Sequence, residues 1–76
     1  MQKTIKAFVH WGESHYVAEC LGLNVVTQGK TLDETISNLQ DAIDLYLEGE
    51  DLGELDLEPD PSLLVTIEVE PRTRVA

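Results

Sequence analysis

From Thr4 to Trp11 hydrophobic and polar residues alternate, with Ile5, Ala7, Val9 and Trp11 on one side and Thr4, Lys6, Phe8 and His10 on the other. A period of two predicts a half-buried strand over residues 3–11. Gly12, Glu13 and Ser14 bring turn chemistry, and Tyr16, Ala18 and Cys20 then alternate with His15, Val17 and Glu19, so the two runs form a hairpin. Pairing Trp11 with Tyr16 sets Val9 opposite Ala18 and Ala7 opposite Cys20. That register gathers the apolar side chains on one face. A turn around Gly22 leads into a third short strand at 24–28.

The period changes at Thr31, an N-cap residue followed three positions later by Glu34, the spacing of a capping box. Beyond it Leu32, Ile36, Leu39, Ile43, Tyr46 and Leu47 recur every three or four residues, while Asp33, Ser37, Asp41, Asp44 and Glu48 form the opposite stripe. This is an amphipathic helix with Gly49 as its stop. Residues 48–61 combine leucines, two prolines and dense negative charge, which reads as an acidic loop. Leu63, Val65, Ile67 and Val69 alternate with Leu64, Thr66, Glu68 and Glu70 to give a fourth strand, ended by Pro71. The expected architecture is α+β: one domain over residues 1–76, in the order β-β-β-α-β, with the helix on the apolar face of an antiparallel-rich sheet. The connection through the helix should be a right-handed crossover.

Composition narrows the function. Seventy-six residues, 42% hydrophobic and 26% charged, suit one small folded domain and exclude a large enzyme and a disordered chain. Fifteen acids against five bases give a net charge of -10, which argues against contact with nucleic-acid phosphates or an anionic membrane and favours a cationic partner. The charge is also uneven. Residues 31–70 hold thirteen acids and no base. Cys20 is the sole cysteine, the first residues contain no apolar signal core, and no apolar run approaches the ~20 residues of a spanning helix, so a cytoplasmic location is expected.

Candidate chemistry is sparse. His10, His15 and Cys20 are the softest metal ligands, but alternation sends Cys20 to the core face and the histidines to the other, which also separates any Cys/His nucleophile pair. The acidic loop lacks the ligand spacing of a calcium-binding loop, and Gly29-Lys30-Thr31 lacks the further glycines of a phosphate loop. Strand one carries no carboxylate for two-metal hydrolysis. The expectation is therefore no enzyme, no metal and no cofactor. The acid stripe remains, and it reads either as a solvated face or as a surface that meets a basic protein, since rows of like charge speed encounter with an opposite one.

The segment from His15 to Leu47 resembles the HicB-like antitoxin family. The likeness rests on Tyr16-Val17-Ala18, on Thr27-Gln28-Gly29-Lys30-Thr31-Leu32-Asp33-Glu34 at the strand-to-helix junction, and on the Ile43 to Leu47 helix end. The sequence departs from the usual family pattern at His15, at the proline-free stretch from Cys20 to Asn24, at Lys30 and at Thr35. The resemblance implies a truncated ribonuclease-H-like domain that binds and neutralises a small basic messenger-RNA-cleaving toxin of the HicA type. It also implies a homodimer or homotetramer. PRTRVA is too short for an appended DNA-binding module, so no direct nucleic-acid binding is expected. On this reading the partner-binding residues are Asp41, Asp44, Glu48, Glu50 and Asp51. The alternative is an acidic homo-oligomer with a structural or small-ligand role and no toxin partner, suggested by Phe8 and Val17 on an otherwise polar sheet face.

Overall fold

A computed structural model describes residues 2–49, 54 and 57–69. Its elements run β1 (Gln2–Trp11), β2 (Tyr16–Leu21), β3 (Val26–Gly29), α1 (Leu32–Leu47) and β4 (Leu57–Ile67), the β-β-β-α-β order of an α+β domain. The four strands form one mixed sheet in the order β3-β2-β1-β4, antiparallel except between β1 and β4.

The first hairpin pairs Trp11 with Tyr16, Val9 with Ala18 and Ala7 with Cys20, the register that the alternation predicts. Its turn is closed by the Gly12 amide, which donates to the His15 carbonyl at 2.7 Å. Trp11 meets Tyr16 edge to face at 4.7 Å between ring centres, yet Trp11 remains 53% exposed at the strand's end. Ile5, Ala7 and Val9 are buried. Gly22, with φ of 85°, turns the chain after β2 in a conformation that a side chain would strain. The third strand starts two residues later than its expected position. Val25 is buried just before it, and its carbonyl accepts from the Cys20 amide.

Helix α1 opens on Thr31, whose hydroxyl accepts from the Glu34 amide at 3.0 Å, a cap of the kind that contributes about 1 kcal/mol. The Glu34 carboxylate reaches back one residue farther than a capping box requires and accepts from the Lys30 amide at 3.0 Å. Either way an amide otherwise without a helical partner is satisfied. Thr35, Leu39 and Ile43 form the buried centre of the helix face, with Leu32, Ile36, Ala42, Tyr46 and Leu47 packed beside them. Thr35 is polar and fully buried. Its hydroxyl donates to the Thr31 carbonyl at 2.7 Å, so no buried hydrogen-bonding group is left unsatisfied there.

The expected acidic loop at 48–61 is corrected at its far end. β4 begins at Leu57, a side chain only 3% exposed that belongs to the core. From Gln2 to Thr4 on β1 the partner residue moves from Leu57 to Ser62, so residues 58–61 stand opposite Lys3 alone and the strand bulges. Pro59 and Pro61 lie in that bulge, and β4 is an edge strand, the two settings in which a strand tolerates proline. At the other end β4 stops at Ile67. The Glu68 amide still donates to the Val9 carbonyl at 2.8 Å, but Val69, expected on the apolar face, is 72% exposed.

Candidate functional site

Helix α1 lies over β3 and β2, on the same sheet face as the buried side chains of β1. Because it is offset towards that side, a groove of about 720 Å³ runs between α1 and the middle of β4. Ile43 and Leu47 of the helix, Ile5 of β1, and Pro61 and Leu63 of β4 form its apolar lining, and Gln40, Asp41 and Asp44 form its polar rim. The helical repeat explains the rim: Gln40 and Asp44 share one line of the helix, and Asp41 stands beside it.

Of the expected partner-binding residues, Asp41 and Asp44 are exposed and brought together on this groove. Glu48 is exposed at the C-cap, where its amide donates to the Asp44 carbonyl at 3.1 Å. Glu50 and Asp51 lie outside the described residues. The periodicity did not single out Leu45, which is 72% exposed with Asp41 four residues before it and Glu48 three after, so a large apolar side chain stands among carboxylates. No basic residue occupies the last helical turn to offset the partial negative charge of its carbonyls. The groove therefore offers apolar contact framed by anionic groups, a combination suited to an amphipathic basic segment.

His10 and Cys20 separate as their alternation predicts, whereas His15 lies in the turn before β2 and not on a strand face. His10 stacks on Phe8 with ring centres 5.6 Å apart, and its Nε2 lies 3.6 Å from the Glu19 carboxylate on the face away from the helix. His15 Nδ1 lies 3.0 Å from the Ser14 hydroxyl in the turn. Cys20 is buried on the core face, and desolvation pushes its thiol pKa up. Among the described residues no three of His, Cys, Asp and Glu come together as a metal-binding group.

The raised Cys20 pKa gives a pH dependence of definite sign. The folded state holds the thiol proton to higher pH than the unfolded state does, so the contribution is intact below the unfolded pKa and is lost as pH rises through the folded one. At neutral pH an aromatic disulfide reagent should modify Cys20 far more slowly in the native protein than in denaturant. Equal rates would place the thiol outside the sheet core.

No helix among the described residues is long and apolar enough to cross a membrane. Compared with family models, curated proteins and solved structures, the chain matches none.

Proposed function

We propose that the protein is a non-catalytic, antitoxin-like binding module that holds and covers a small basic toxin. The observation that carries this reading is the groove between α1 and β4, with Ile5, Ile43, Leu47 and Leu63 in its lining and Asp41 and Asp44 on its rim. A basic amphipathic segment would bury its apolar side chains there and set its lysines or arginines on the two aspartates, with Leu45 and Glu48 extending the contact along the helix. The resemblance of residues 15–47 to HicB-like antitoxins supports the same reading and names the toxin class: a small RNase whose positive surface must be masked.

Co-expression with the product of an adjacent short lysine- and arginine-rich reading frame tests it. The expected result is a co-purified complex, restored growth and an affinity that falls with salt. Reversing Asp41 and Asp44 to lysine should weaken the complex about a hundredfold, since like charges set against each other cost several kcal/mol. Asp44→Lys should at the same time stabilise the free protein by about 0.3–1 kcal/mol, because it sets a cation near the helix C-terminus. Loss of binding with a gain in stability separates a docking role from a folding role. Absence of any complex with a small basic neighbour would reject the proposal.

A further inference from the structure

The sheet has two faces and the helix covers one. The strand register places on the other face a row of Leu64, Lys6 and Leu21, and next to it a row of Thr66, Phe8, Glu19 and Val26. Leu21, Val26 and Leu64 are 63%, 65% and 54% exposed. Together with Phe8 they span all four strands, and a hollow of about 400 Å³ lies among Lys6, Phe8, Glu19, Leu21 and Leu64. Single exposed apolar residues are ordinary, but neighbouring ones on adjacent strands mark a surface that is covered in use.

We infer that a second copy of this chain covers the open sheet face, packed sheet on sheet, with each copy's Lys6 set against the other's Glu19. Charge decides the occupant. The chain carries a net charge of -10, and α1 has four acids and no base, so two copies repel each other across the helical side. On the open face the balance is different: among the described residues paired within the sheet it carries Lys6 and Glu19, with His10 beside that glutamate at 3.6 Å, and Glu68 follows only beyond the end of β4. Among the described residues a basic partner finds no row of carboxylates there like that of α1, whereas a like copy meets less repulsion there than across the helical side.

The pattern is also self-complementary. Lys6 stands opposite Leu21 and Phe8 opposite Glu19, so Lys6 and Glu19 are diagonal neighbours on adjacent strands. A two-fold axis lying in the interface, perpendicular to that diagonal and through its midpoint, exchanges the two positions. It sets Lys6 of each copy on Glu19 of the other, twice, inside a surround of Phe8, Leu21, Val26 and Leu64. Such an isologous contact closes after two subunits. It crosses the sheets steeply, one of the two ways in which sheets pack face to face. Because the groove beside α1 is on the opposite side, the inference stands independently of the toxin-binding reading.

Sedimentation equilibrium on the full chain, combined with charge reversal, tests the geometry. The wild type should be a dimer, and Leu21→Glu or Leu64→Glu should yield a monomer with an unchanged far-ultraviolet circular dichroism spectrum. Lys6→Glu alone and Glu19→Lys alone should each raise the dimer dissociation constant about tenfold or more, because each sets like charges together twice. The double variant Lys6→Glu/Glu19→Lys should return to the wild-type value. A monomeric wild type, a dimer that survives both leucine substitutions, or a double charge swap that fails to restore association would each overturn the proposal. The charge variants alter only the polar part of the face, so they decide the question even where a leucine substitution disturbs folding.

Discussion

Leu39→Ala is expected to lower the unfolding free energy by about 3–5 kcal/mol, near the top of the range for truncating a buried leucine. Leu39 is fully buried at the middle of α1, with Thr35 one turn before it and Ile43 one turn after. Those three side chains seat the helix on the sheet. The cost scales with the cavity that remains, and the surroundings here have little freedom to collapse: Val9 and Ala18, also fully buried, are fixed by a paired register, and the helix start is held by the Thr31 cap. For a chain of this length total stability is of order 4–11 kcal/mol, so the substitution should remove a large share of it. Urea denaturation followed by circular dichroism should show the midpoint moving strongly with little change in slope. A loss below about 1 kcal/mol would mean that α1 is not seated through Leu39.

The elements that could be read from sequence are those where one local pattern has one solution. Alternation from Ile5 to Val9 and from Tyr16 to Cys20 gathers Ile5, Ala7, Val9, Tyr16, Ala18 and Cys20 on one face, and the structure adopts the register that pairs Trp11 with Tyr16. Thr31 and Glu34 likewise announced the helix start. The start of β4 was hidden because Pro59 and Pro61 read as loop wherever the strand's position in the sheet is unknown, and only an edge position with a bulge accommodates them. Thr35 was hidden for a related reason. A threonine reads as polar until its hydroxyl is seen to use the Thr31 carbonyl one turn back, after which it can occupy the centre of the buried face. Trp11 and Val69 satisfy the alternation yet are exposed, since periodicity assigns a face without saying how far the covering element extends.

The same limit applies to the candidate surfaces. Asp41 and Asp44 were visible as an acid stripe, but the groove they border depends on the offset of α1 from β4, which is set by packing between segments distant in sequence. The apolar open face was legible in principle, since Leu21, Val26 and Leu64 follow from the register. The alternation showed only Phe8 and Val17 on that face; Leu21, Val26 and Leu64 escaped it because they lie at the ends of short strands or on a strand whose neighbours are set by the register. Both surfaces arise from positions where the helix is absent.

Gly29→Ala should destabilise the protein by about 3 kcal/mol, the upper end of what overpacking usually costs. The reason is space, not backbone conformation. A Cβ at Gly29 would stand 2.5 Å from the Thr35 Oγ1, 2.7 Å from the Thr35 amide nitrogen and 2.9 Å from its Cα. Two of those three atoms belong to helix backbone, so no rotamer change relieves them. The helix cannot simply lift either, since the Thr35 amide and hydroxyl both donate to Thr31, and Asn38 donates from its side-chain amide to the Gln28 carbonyl at 2.8 Å, tying α1 to β3 from one turn farther along. Gly22→Ala makes a useful contrast, because a Cβ there meets nothing and only the positive φ opposes it, a cost of about 1–2 kcal/mol. Combining Gly29→Ala with Thr35→Ala removes the hydroxyl clash but leaves both backbone clashes, so the pair should remain well below wild type in thermal midpoint and should not recover. Full recovery in the pair would show that the strand meets the helix through the Thr35 side chain alone. A Gly29→Ala protein as stable as wild type would place β3 farther from the helix than these distances allow.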